Sequence, residues 1–258
     1  MTDTLLHAAA DVARVAGDVA LRHFRGALHV ETKGDGSPVT IADRAAEAAA
    51  RAWLADRFPA DGILGEEEGL THGTSGRRWI VDPIDGTKTF VRGVPLWGTL
   101  VAVAAGDEVL AGAAYFPAVG EIVAAAPGAG CWWNGARCHT SSVSTLGTAT
   151  VLTTDEQFTH RPDRRDAWRR LAGTAGIVRS WGDCYGYLLV ATGRAEAMLD
   201  GIVGDWDAAC FLPIVEEAGG VFTSWEGART PFGGSAIATN AALAAQVRAL
   251  VQEPSEIL

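Results

Sequence analysis

Nowhere does the 258-residue chain hold an uninterrupted apolar run near the roughly 18 residues a membrane-spanning helix needs. Its opening segment also lacks the basic-then-apolar order of a signal peptide, being broken by Asp3, His7, Asp11 and Arg14. Cysteine is scarce: Cys131, Cys138, Cys184 and Cys210 show no CxxC spacing. That pattern excludes a disulfide scaffold or a thiolate zinc site and predicts reduced thiols in the cytoplasm. Clusters of basic residues are missing beyond pairs such as Arg77-Arg78 and Arg169-Arg170, and the formal charge is −10, so a nucleic-acid partner is not expected. Acidity does not exclude a small anionic substrate, because a bound cation inverts the local field. The six histidines form no HxH or HExxH, and there is no GxxxxGK[ST]. Zinc hydrolases of that type and P-loop NTPases are thereby set aside.

What remains is a soluble globular composition, with 48% hydrophobic and 20% charged residues. Apolar positions recur at helical spacing from Leu5 to Phe24, and an alanine-rich segment beginning at Ile41 predicts a second helix. Short apolar runs follow. "GILG" and "RWIVD" suit strands, and the stretch from Trp97 to Trp133 suits three or four more, with hairpin turns at Gly106-Asp107 and at 117–120. The second half alternates strand and helix, including one helix over "WDAACFLPIVEEAGG" and a last strand at "SAIATN". The expectation is a mixed α/β fold occupying residues 1–258 as one unit, with approximate halves 1–145 and 146–258.

Within this pattern, carboxylates stand at element ends. "WIVDPIDGTKTF" (residues 79–90) passes from a buried strand directly into Asp82 and Asp85. Glu66 and Glu67 follow "GIL", Asp207 opens the helix after Trp206, and Asp43 lies near the start of the second helix. Singly, each has a plain explanation: a solvated run, an N-cap, a first-turn charge. Asp82 and Asp85 are harder to explain as a turn alone. Two like charges about 4 Å apart repel by roughly 4 kcal/mol at an effective dielectric near 20, so such a cluster requires protons or a cation. Oxygen donors without His or Cys specify a hard ion, of which Mg²⁺ is the natural choice. Gly86 permits close backbone approach, Thr87 adds a hydroxyl, and a helix starting there would offer N–H groups to an anion. The chemistry implied is metal-assisted phosphoryl transfer to water, with the "DPID" turn as a metal cradle.

These segments resemble the inositol monophosphatase family: "KGDGSPVTIAD" at 33–43, "GEE" at 65–67, "WIVDPIDGT" at 79–87, "WDAA" at 206–209 and "EEAGG" at 216–220, in order along nearly the whole chain. The resemblance implies a layered αβαβα sandwich, a homodimer, a small phosphate monoester as substrate, and two or three Mg²⁺ ions per subunit. It assigns metal binding to Glu66, Asp82, the Ile84 carbonyl, Asp85 and Asp207. Thr87, with Glu67 and Asp43, would position or deprotonate water. Lys33 would complete the site, and the Gly86 and Thr87 amides would hold phosphate.

"SWGDCYGYLLVATG" departs from inositol-type members, where a small residue commonly follows the glycine. Here Gly182 precedes Asp183, and the pattern is similar to the family's histidinol-phosphate phosphatases. An anionic side chain facing the leaving group suits a cationic alcohol, and the resemblance implies a substrate contact at Asp200, where relatives carry an acidic residue. The expected activity is hydrolysis of histidinol phosphate in histidine biosynthesis. The alternatives are an inositol-1-phosphate or broad sugar-phosphate phosphatase and, outside catalysis, a silent Mg²⁺-binding scaffold. For Asp183 itself, the alternative is a cap on the helix that follows.

Overall fold

The computed structural model describes residues 2–26, 30–32, 34 and 38–252. In chain order the elements are α1 (Thr2–His23), β1 (Val30–Thr32), β2 (Pro38–Thr40), α2 (Ile41–Arg57), β3 (Gly62–Gly65), β4 (Gly69–Thr71), β5 (Arg77–Asp85) and α3 (Thr87–Val91). A meander follows: β6 (Gly98–Ala105), β7 (Glu108–Phe116), β8 (Glu121–Ala126), β9 (Gly130–Trp133) and β10 (Ala136–Arg137). The second half contains β11 (Thr150–Leu152), α4 (Pro162–Thr174), β12 (Ile177–Arg179), α5 (Cys184–Ala191), β13 (Ala197–Asp200), α6 (Asp205–Ala208) and α7 (Phe211–Glu217). It closes with β14 (Gly220–Thr223), β15 (Ala236–Asn240) and α8 (Ala244–Gln252).

Layering follows from the two-residue period of strands. In β5, Trp79 and Val81 pack with the alanine stripes of α1 and α2, while Ile80 faces the opposite way, toward Leu188 and Phe211 of α5 and α7. In β13, Met198 joins that same middle layer, whereas Ala197 and Leu199 join Trp168, Leu171 and Val247 of α4 and α8. The result is α1/α2, an eight-stranded sheet, α5/α7, a five-stranded sheet and α4/α8: an αβαβα sandwich. The larger sheet runs β10-β9-β8-β7-β6-β5-β3-β4 and the smaller β12-β11-β13-β15-β14.

Three features differ from the sequence expectation. "DPID" is not a turn: β5 continues through it to Asp85. "WDAACFLPIVEEAGG" is two short helices, because Pro213 cannot donate to the Ala209 carbonyl and the ladder breaks between α6 and α7. Gly220 opens β14, a strand that the sequence pattern did not mark, which pairs antiparallel with β15.

Candidate active site

β5 supplies two carboxylates through an irregularity in its pairing. Asp82 lies opposite Leu100 and Asp85 opposite Gly98, so two residues, Pro83 and Ile84, face the single Thr99. In a regular strand, residues three apart point to opposite faces; one extra residue brings both side chains to the same face. Pro83, which has no N–H to lose, fits such a bulge. Thr99 Oγ1 donates to the Pro83 carbonyl at 2.8 Å, and the Ile84 N–H donates to Asp82 Oδ1 at 2.9 Å.

Asp207 joins them from the first turn of α6, where its Oδ2 accepts the Gly204 N–H at 2.7 Å. Ligand oxygens of Asp82, Asp85 and Asp207 lie within 4.8 Å of one another. Burial and then neighbouring negative charge push the Asp82 and Asp85 carboxyls well above the usual range, and burial raises Asp207 to about 6. The charge of Glu66 contributes at Asp82, Asp207 and Asp43, which places it in the same group. Backbone N–H groups donate to Asp82, Asp85 and Asp207, with Cys184 N–H reaching Asp85 Oδ2 at 2.5 Å, and the Asp82 and Asp207 carboxyls also pair with each other. Among the described residues, no Lys or Arg pairs with these three. Oxygen-only donors, buried at Asp82 and half-buried at Asp85 and Asp207, without a compensating cation, fit a hard divalent ion.

Asp43 is fully buried and does two things. Its Oδ2 accepts from the Thr40 N–H at 2.8 Å and from Thr40 Oγ1 at 2.7 Å, closing the capping box of α2. Its Oδ1 lies 3.4 Å from Thr87 Oγ1, which also lies 3.1 Å from the Ile84 carbonyl. Gly86, at φ 84°, bends the chain out of β5 into α3, so the N–H of Thr87 begins the helix before its ladder starts. Thus Asp43, Ile84, Gly86 and Thr87 converge, although they come from α2 and from the β5–α3 junction. Lys33 lies outside the described residues.

One residue of this architecture escaped sequence reading. Glu47 is fully buried on α2 and accepts from the Glu67 and Glu68 N–H groups at 2.7 and 3.1 Å, with Arg51 Nε on the same carboxylate at 2.8 Å. It therefore fixes the turn that carries Glu66 and Glu67. Gly65 makes room for it: a Cβ there would come within 2.0 Å of Glu47 Oε1. The available signal was spacing, since Asp43, Glu47 and Arg51 fall four apart beside the stripe of Ala42, Ala46 and Ala50.

Asp183 borders the carboxylate group on the α5 side. It precedes α5 but makes no side-chain cap bond; its backbone stands at φ 49°, ψ −154°. An L residue there carries roughly 1–3 kcal/mol of strain, of a kind found at functional sites. Its Oδ2 lies 3.3 Å from Thr89 Oγ1 and 3.2 Å from where a Cβ on Gly86 would sit. Burial raises its carboxyl. Gly182 packs so closely on Thr154 that a Cβ would lie 2.4 Å from Thr154 Cα. Asp200 is 6% exposed and accepts from the Thr154 N–H and the Tyr187 hydroxyl; burial raises it to about 7. A cavity of about 610 Å³ opens beyond Asp183, lined by Thr153, Phe158, Gly182, Asp200 and Ile202 among others. The Thr153 hydroxyl is buried there without a partner among the described residues.

The model of the inositol monophosphatase family matches residues 1–255. A histidinol-phosphatase of Chlorobaculum parvum is 41% identical over 233 residues, covering 90% of each chain. One of Mycobacterium tuberculosis is 42% identical over 221 residues, 84% of this chain and 85% of that one. Among solved structures, the extragenic suppressor protein suhB of Bartonella henselae superposes with a TM-score of 0.91 at 27% identity, covering 97% of this chain and 99% of its own.

Proposed function

The chain belongs to the inositol monophosphatase family and is a metal-dependent phosphoric monoester hydrolase; from that premise we propose that it is a Mg²⁺ enzyme cleaving histidinol phosphate to histidinol and phosphate. Glu66, Asp82, the Ile84 carbonyl, Asp85 and Asp207 would hold the ions. When bound, Mg²⁺ lowers the pKa of water and neutralises charge on the phosphoryl and leaving oxygens.

The protein's own groups carry the rest. The N–H groups of Gly86, just before α3, and of Thr87, its first residue, would take the phosphate. Thr87 Oγ1 lies 3.4 Å from Asp43 Oδ1, so Thr87 would take the attacking water's proton as its own hydroxyl proton passes to Asp43. Burial lifts the Asp43 carboxyl, which favours its holding that proton. Glu67, fixed through its backbone by Glu47, would help position the same water. As the water oxygen bonds phosphorus, the bond from phosphorus to the alcohol oxygen breaks, and that oxygen takes a proton from solvent.

The observation that carries the substrate assignment is the Asp183 carboxylate, which overhangs Gly86 and faces the adjoining cavity. Histidinol bears an ammonium group close to its phosphorylated hydroxyl, and a charge-assisted pair with Asp183 would orient it. Two relatives named histidinol-phosphatase support this reading. Asp183 stands at the N-cap of α5, but its side chain makes no cap bond, so the plain alternative leaves the carboxylate unexplained.

The test is phosphate release from histidinol phosphate and inositol 1-phosphate in parallel, with Mg²⁺ and then with chelator. A marked preference for histidinol phosphate that Asp183→Ala abolishes, without loss on inositol 1-phosphate, is the expected result. Preference for inositol 1-phosphate by the unmodified enzyme would overturn the assignment.

A further inference from the structure

Asp183 cannot hold its left-handed backbone unaided, and the contacts around it show what holds it. Its N–H donates to Thr154 Oγ1 at 2.8 Å. The next N–H, of Cys184, is fixed on Asp85. Thr154 in turn donates its own N–H to Asp200 Oδ1 at 3.2 Å, and Tyr187 donates its hydroxyl to Asp200 Oδ2 at 2.8 Å. Tyr187 lies four residues beyond Asp183, on α5, so three hydrogen bonds and the first turn of α5 close a ring through these four residues. The ring joins the segment after β11, the end of β13 and the start of α5.

Each member is built in. Tyr187 is 2% exposed and stacks on Phe211 with ring centroids 4.8 Å apart. Asp200 has both oxygens engaged by protein donors, and its carbonyl accepts Trp225 Nε1 at 2.8 Å. Thr154 can reach the Asp183 N–H because Gly182 lacks a side chain. Burial and the Asp200 carboxylate keep the Tyr187 phenol well above its ordinary value, so it remains a donor.

We infer that Tyr187, Asp200 and Thr154 are positioning residues for substrate preference, holding the Asp183 turn so that its carboxylate meets the cationic part of the alcohol. Asp200 then acts through Thr154 rather than chiefly as a direct substrate contact. The inference rests on the substrate reading above and names the device that sustains it. Its signature is selective: loosening the ring weakens turnover of an ammonium-bearing phosphate monoester and spares one whose alcohol is uncharged.

The experiment compares kcat and KM for histidinol phosphate and glycerol 2-phosphate in Tyr187→Phe, Asp183→Ala and the double variant, all with Mg²⁺. Tyr187→Phe keeps the stacked ring and removes only the hydroxyl. Its expected effect is about a tenfold rise in KM for histidinol phosphate, with glycerol 2-phosphate changed by less than about twofold. In the Asp183→Ala background it should add less than about twofold, because both substitutions remove one interaction. Thr154→Val should reproduce the effect and Thr154→Ser restore it, which covers the case of a poorly folded Tyr187→Phe. Equal losses on both substrates, or full additivity with Asp183→Ala, would overturn the positioning role and leave the substrate reading standing. Unchanged preference in Asp183→Ala would overturn both.

Discussion

The two ends of β5 each carry buried aspartate chemistry, and they solve it in opposite ways. At the first end, Asp61 accepts from Arg77 at 3.0 and 3.1 Å, from Ser75 Oγ at 2.5 Å and from Trp79 Nε1 at 3.0 Å. Burial alone would raise its carboxyl; the hydrogen bonds from Arg77, Ser75 and Trp79 outweigh that and lower it. At the other end of this nine-residue strand, Asp82 and Asp85 have backbone donors and neighbouring carboxylates, and both are raised. One end is satisfied within the protein and stabilises the fold. The other is left to be satisfied by something that binds, and destabilises the fold until it is.

The sharpest way to break that contrast is Asp85→Asn. It should abolish turnover, by on the order of 10⁴-fold or more, through loss of metal. It should also raise the melting temperature of the metal-free protein, since a repelling charge is gone while an acceptor for Cys184 N–H remains. Calorimetry beside a phosphate-release assay checks both; lower melting would show that Asp85 is structural. Next in size, Thr87→Ala should cost on the order of 10²–10⁴-fold in kcat with metal affinity unchanged, measured by steady-state kinetics and metal titration.

At the satisfied end, Asp61→Ala should cost about 2–3 kcal/mol in denaturant unfolding, by stranding Trp79 and a partly exposed Arg77. Turnover per folded molecule should be unaffected. Finally, the two ends titrate in opposite senses. Asp61, lowered in the fold, stabilises above the unfolded value of 3.8 and loses that contribution as pH falls through its folded value. Asp207, raised to about 6, makes the metal-free protein less stable as pH rises from about 4 to about 6. Asp207 by itself should make the metal-free protein unfold about 1 kcal/mol more easily at pH 7 than at pH 5, and Asp82, Asp85 and Asp200, also raised, add to that in the same direction. Asp207→Asn should reduce that slope by its own share, and saturating Mg²⁺ should reduce it further.

Much of the site was legible because its signals are short and contiguous. "DPIDGT", "GEE" and "WDAA" each keep their chemistry within one local stretch, and hairpin glycines mark the meander. What stayed hidden depends on pairing between distant segments. The bulge that turns Asp82 and Asp85 to one face exists only against Thr99 of β6. Glu47 looks like one more charge on an alanine-rich helix until Glu67 and Glu68 arrive above it. The contact of Tyr187 with Asp200 requires α5 to lie against β13. The break after α6 was different: Pro213 stands in plain view, and the apolar run around it concealed its effect.

The approach of Glu47 to Gly65 also limits how this protein can be altered. A methyl group at position 65 would occupy the space of a carboxylate oxygen, and shortening Glu47 would release two N–H groups of the turn bearing Glu66 and Glu67. Neither position can change first without harm, so the two form a lock that single substitutions do not open. A library randomised at both positions should return the original pair or jointly altered ones, and libraries varied at one position alone should return almost only the starting residue.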